Sequence, residues 1–210
     1  MYLPEHFEET DPAAIRAVID ANPFATLVAM TGQGITANHL PVLADDTGRL
    51  FGHLALANDL HRDIVPDTEV IVIFRGDEAY VSPNWYPSKA EHHKQVPTWN
   101  YQVVHVHGTI RFQHDDKTKR AVVGRMTKYF ETLTNADHAW RMADAPNDYI
   151  QVMLDNIVAF EIKAEKTIAK SKLSQNKDGR DLENVAVELG AHGKTGLMRR
   201  IRKILSARRV

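Results

Sequence analysis

Between Phe24 and Ala55 the extended stretches follow one another with turns of only a few residues. Phe24 to Met30 is apolar, Thr31-Gly32-Gln33-Gly34 is a tight turn, and Ile35 to Leu43 resumes an extended pattern, which is a hairpin signal. Asp45-Asp46-Thr47-Gly48 turns the chain again before Leu50 to Ala55. Connections this short join antiparallel strands, whereas a parallel pair needs a crossover of roughly a dozen residues or more. A doubly wound parallel sheet is therefore excluded.

Further strands follow. Val70 to Phe74 are consecutive apolar residues, as in a strand covered on both faces, and Gly76-Asp77 predicts a turn into Glu78 to Ser82. Val104, Val106, Gly108, Ile110 and Phe112 alternate with Val103, His105, His107, Thr109 and Arg111, which predicts a long half-buried strand. Val158, Phe160 and Ile162 repeat the pattern. Pro83 to Pro97 is rich in loop formers.

Helices are expected at the start, middle and end. Asp11 is a good N-cap with Pro12 in the first turn and Ile15, Val18 and Ile19 as the apolar stripe. Asp59 to Val65 fits a short helix stopped by Pro66. Asp115 can cap a helix to about Leu133. Leu182, Val185 and Leu189, then Leu197, Met198, Ile201, Ile204 and Leu205, mark two closing helices separated at Gly190 to Gly196. The whole predicts a mainly β fold, an antiparallel barrel with peripheral helices. Its 210 residues suit one domain with an appended element. The expected division is a barrel over 1–168 and a basic helical extension over 169–210.

With no cysteine, disulfides, thiolate metal sites and cysteine nucleophiles are excluded. No apolar run reaches the ~18 residues of a membrane span, and the N-terminus lacks a signal-peptide pattern, so a soluble cytoplasmic protein is expected. Charge is uneven: residues 163–210 hold 13 Lys/Arg and 5 Asp/Glu, although the whole chain is at −1. Lys194 to Arg209 carries no acid, and Arg199, Arg200, Arg202 and Lys203 fall opposite the apolar stripe, where they could meet phosphates or simply be solvated.

Gly193-Lys194-Thr195 is not a phosphate loop, because Glu188 stands where the pattern needs glycine and the context is helical. No Gly-x-Ser-x-Gly elbow is present. His92-His93 and His105-x-His107 lack a converging third ligand, so no metal site is assigned.

The polar and aromatic segments at strand ends are more informative. They include Asn38-His39-Leu40-Pro41, His53-Leu54, Asn58, Trp85-Tyr86 and Trp99-Asn100-Tyr101. Such groups suit either a cleft for a flat heterocycle or ordinary packing at barrel corners. In order, HLP (His39–Pro41), GHLA (Gly52–Ala55), YVSPNWY (Tyr80–Tyr86), VPTWNY (Val96–Tyr101), HVHG (His105–Gly108) and KLSQNK (Lys172–Lys177) resemble the PaiB family, described as FMN-binding negative transcriptional regulators.

The resemblance implies a split β-barrel of the pyridoxamine-phosphate-oxidase type, a homodimer, and FMN at the subunit interface. It assigns Asn38, His39, Leu40 and Pro41 with Trp85 or Trp99 to the flavin ring, and backbone amides near Leu40 and Leu54 to its carbonyls. His53 and Asn58 occupy the segment where related barrels bind phosphate or ribityl groups, although Asp59 would repel a phosphate there. Lys172, Ser174 and Gln175 could supply the missing donors, with Lys172 the best cation. A regulator or sensor reaching DNA through the basic C-terminal helix is the first expectation; an FMN-dependent oxidoreductase and a haem-binding barrel are the alternatives. The linker of about six residues exceeds a helix-turn-helix turn of about 3–4 residues, so none is assigned.

Overall fold

The structure is a computed structural model and describes residues 1–65 and 68–208. In chain order the elements are α1 (Pro12–Ala21), β1 (Phe24–Thr31), β2 (Gly34–Ala44), β3 (Leu50–Ala55), α2 (Leu60–Asp63), β4 (Val70–Val81), α3 (Lys89–His92), β5 (Thr98–Gln113), α4 (Asp116–Asn135), α5 (Asn147–Asp155), β6 (Ile157–Lys172), α6 (Gly179–Ala191) and α7 (Thr195–Ala207). The strands close into a barrel in the order β1-β2-β3-β6-β5-β4. Asp115 caps α4 as expected, accepting the Thr118 N–H at 2.9 Å.

The β1–β2 hairpin forms as predicted, with a register running from Phe24↔Pro41 to Thr31↔Gly34. β1 closes the barrel on β4 through Thr26↔Ile73, Leu27↔Val72 and Val28↔Ile71. The expected turn at Gly76-Asp77 is not formed, and β4 runs straight through it. Gly76 has a different use: a Cβ there would stand 3.1 Å from the Gln102 Cβ, so its bare backbone admits a neighbouring strand. Gly190 likewise lies inside α6, where a Cβ would sit 2.9 Å from the Met198 sulfur. The two closing helices are thus joined by only residues 192–194, a shorter link than the sequence predicts. Three further differences are local. β5 and β6 are longer than their apolar alternation, α5 forms in a stretch without a clear period, and α2 ends at Asp63. Pro66, expected to stop that helix, lies outside the described residues.

The chain forms two compact units. The barrel unit comprises Asn22–Phe74 and His105–Thr167. Its interior is filled by alternate residues of the strands, among them Leu27, Val42, Leu50, Leu54, Val72, Phe74, Val158, Phe160 and Ile162, all 2% exposed or less. Val122 and Met126 of α4 cover Leu43, Phe51 and Ala159 on the outside. The terminal unit comprises Met1–Ala21, Arg75–Val104 and Ile168–Val210. Its core joins Val81, Tyr86 and Leu173 to Leu182, Val185 and Leu189 of α6 and Leu197, Ile201 and Leu205 of α7. Each such side chain contributes about 1.5–3 kcal/mol by burial, so α7 is an integral part of this unit. Asp181, 1% exposed, holds the 83–97 loop by accepting the Ser88 N–H, the Ser88 hydroxyl and the Gln95 amide.

Candidate functional site

In the barrel unit the strand ladder has an opening. β2 and β3 pair only through Val42↔Gly52, Leu43↔Phe51 and Ala44↔Leu50. Beyond that point β2 continues on β1 and β3 continues on β6, so their facing edges no longer pair with each other. Asn38, His39, Leu40 and Pro41 stand on the β2 side, and His53 and Leu54 on the β3 side. Asn58, just before α2, donates from Nδ2 to Asn38 Oδ1 at 2.8 Å, and its own Oδ1 accepts the Leu60 N–H at 3.0 Å.

His39 is exposed and its Nδ1 lies 3.0 Å from Thr26 Oγ1. His53 is different: its Nδ1 is buried and has no hydrogen-bond partner among the described residues. Burial pulls the His53 pKa below the ordinary histidine value, so near pH 7 the ring is neutral, with one N–H and one lone pair. The Leu54 side chain is in the barrel core, which leaves only its backbone for a ligand. Asp59 is paired with Arg62, which offsets the repulsion expected of it toward an anion. His107, by contrast, places Nδ1 2.8 Å from a Glu69 carboxylate oxygen.

The other predicted residues lie in the terminal unit. The Lys172 ammonium reaches the Thr98 hydroxyl and has no carboxylate partner among the described residues. Burial lowers its pKa, the nearby Tyr101 opposes that shift and Lys170 adds to it. Lys170 is itself 7% exposed and donates to the Tyr2 carbonyl at 3.1 Å. This half-buried, uncompensated cationic group suits a phosphate dianion.

Ser174 is 3% exposed and exchanges hydrogen bonds with the Asn100 amide at 3.0 and 3.1 Å. Gln175 folds onto its own turn, accepting from Leu173 N and donating to the Ser171 carbonyl. Trp99 is half exposed, with its ring edge-on to Tyr80 at 6.4 Å. Trp85 packs on the α6–α7 core, 5.1 Å from the His192 ring. The sequence reading missed Thr26, Thr98 and Lys170. Two of these had a signal: Thr98 stands within VPTWNY, and Lys170 is two residues before Lys172 and so on the same strand face.

Two of the solved structures that share this fold illustrate it. They are the flavocytochrome Anf3 of Azotobacter vinelandii (TM-score 0.59, 11% identity, 81% of this chain and 72% of that one) and the FAD and heme binding protein of Mycobacterium smegmatis (TM-score 0.56, 15% identity, 79% and 73%). At such identities the likeness speaks for the fold alone. A six-stranded antiparallel barrel with flanking helices, whose ladder opens between β2 and β3, defines a protein of the split-barrel fold.

A family model described as "Putative FMN-binding domain" matches residues 1–166, and the chain belongs to that FMN-binding family, the PaiB family to which its motifs point. The "Protease synthase and sporulation protein PAI 2" of Bacillus subtilis (strain 168) is 32% identical over 192 residues, covering 90% of this chain and 89% of that one. FMN is the cofactor of the domain. The opening of the barrel unit fits it: the buried His53 Nδ1, without a partner among the described residues, offers a polar contact to a ring or ribityl group. Among the described residues no helix is long and apolar enough to cross a membrane.

Proposed function

We propose that this chain is a homodimeric, FMN-binding transcriptional regulator or sensor that meets DNA through α7. The carrying observation is the outer face of that helix. Arg199, Arg202 and Lys203 are exposed there with no carboxylate partner among the described residues, while Leu197, Ile201 and Leu205 anchor the opposite face. A fixed helix presenting uncompensated cations is what phosphate contact requires. The link of residues 192–194 also falls within the helix-turn-helix range of about 3–4 residues, which favours this reading over the one drawn from sequence. PAI 2, by its name a sporulation protein, is the relative in whose direction the reading points.

The test is a gel shift with genomic DNA fragments and the triple variant Arg199→Gln, Arg202→Gln, Lys203→Gln. All three are surface changes, so the fold is kept. The parent should bind with steep salt dependence. The variant should lose binding, or show a log–log salt slope shallower by about 3, one counterion per lost contact. Equal binding by parent and variant removes α7 from the interface.

The second copy is assigned to the outer face of the β1–β2 hairpin, which carries the exposed apolar residues Phe24, Met30 and Ile35, at 71, 41 and 75%. Covering such a patch is the ordinary fate of one this apolar. Light scattering should give twice the chain mass of 23.7 kDa, and Ile35→Lys should return it to the single value. A parent of single mass would refute the dimer.

A further inference from the structure

A second cavity, of about 340 Å³, lies wholly within the terminal unit. Glu8, Glu9 and Asp11 line it from the N-terminal segment, and Arg200 and Lys203 line it from α7. Opposite charges in one pocket would ordinarily pair, yet no ion pair joins these two sets among the described residues. The acids are only partly engaged: one Glu9 oxygen accepts the Asp11 N–H at 3.1 Å, and one Asp11 oxygen accepts the Ala13 N–H at 3.0 Å.

Gln102 supplies an independent sign of a ligand. It lines the same cavity and is 3% exposed. Its Nε2 donates to Ser171 Oγ at 2.8 Å, while its Oε1 is buried without a donor among the described residues. Buried amide oxygens are almost always paired, so this one is open to a donor that the described residues do not supply.

A single molecule meets all of these demands only if it carries both charges. We infer that the cavity binds a small basic α-amino acid. Its carboxylate faces Arg200 and Lys203, its cationic side chain faces Glu8, Glu9 and Asp11, and an N–H lies within reach of Gln102. Three acids against two bases leave the lining at −1, which a molecule of net charge +1 neutralises. The volume is at the small end of the ligand range of roughly 300–1,000 Å³, which suits a molecule of this size. Binding here does not depend on the DNA reading. If that reading holds, an occupied cavity also takes Lys203 away from the cationic face of α7.

The experiment is calorimetric titration of the FMN-loaded full chain with L-lysine, with 1-aminopentane and acetate as probes that each carry a single charge. L-lysine should bind saturably, and each single-charge probe at least about tenfold more weakly. Glu8→Gln and Lys203→Gln, both surface changes, should each weaken L-lysine by about tenfold. No saturable heat up to about 10 mM L-lysine, or unchanged binding in both variants, overturns the inference. Flavin fluorescence, read in parallel, tests FMN binding separately, and Glu8→Gln should leave it unchanged.

Discussion

Gly108→Ala is expected to destabilise the protein by about 3 kcal/mol or more, enough to remove much of the stability of an ordinary domain. A Cβ at that position would lie 2.0 Å from the Lys163 carbonyl oxygen and 2.9 Å from its carbon. Both atoms belong to the backbone of β6, so no side chain can rotate away and the strands themselves would have to part. Gly32→Ala is the matched control: no atom of the described residues lies within 4 Å of the added carbon, and its cost should stay within about 0.5 kcal/mol. Urea denaturation of the two variants beside the parent decides the matter. A Gly108→Ala protein as stable as the parent would mean that β5 and β6 do not approach as described.

Lys172→Ala should weaken FMN binding by about 1.5–3 kcal/mol, which is roughly 10- to 150-fold in the dissociation constant. The size follows from the setting. The ammonium is partly desolvated and close to Lys170, and it has a hydroxyl rather than a carboxylate for company. An arriving dianion therefore meets a charge that no internal partner already satisfies. Titration followed by flavin fluorescence measures the change. A dissociation constant equal to the parent's would put the phosphate elsewhere.

Much of the fold is legible in the sequence because short turns and period-two alternation are local. Thr31 to Gly34 sets the hairpin register, and the alternation around Val104 to Phe112 marks β5. What the sequence conceals is glycine's second use. Gly76 and Gly190 read as breaks but are sites of close approach, visible only once the neighbouring backbone is in place. The long strand ends of β5 and β6 are hidden for a related reason, since Asn100 bonds to Ser174 and Gln102 to Ser171, buried polar residues where apolar alternation would be expected. The candidate site shows the same limit. Asn38, His53 and Asn58 can be picked from the motifs, but the termination of the β2–β3 ladder that brings them to one opening is a matter of register. The fact that Ser174 and Gln175 spend their hydrogen bonds internally is likewise a matter of packing.

The opening between β2 and β3 also carries a liability. A sheet edge without its neighbour is a template for any foreign strand, and natural proteins protect such edges with charge, bulges or a cover. The β2 edge along Ile35 to Pro41 contains no lysine, arginine or acid to repel an intruder. Whatever seals that seam therefore also guards the chain against amyloid-like pairing, and solubility during synthesis becomes tied to how early the seam is filled.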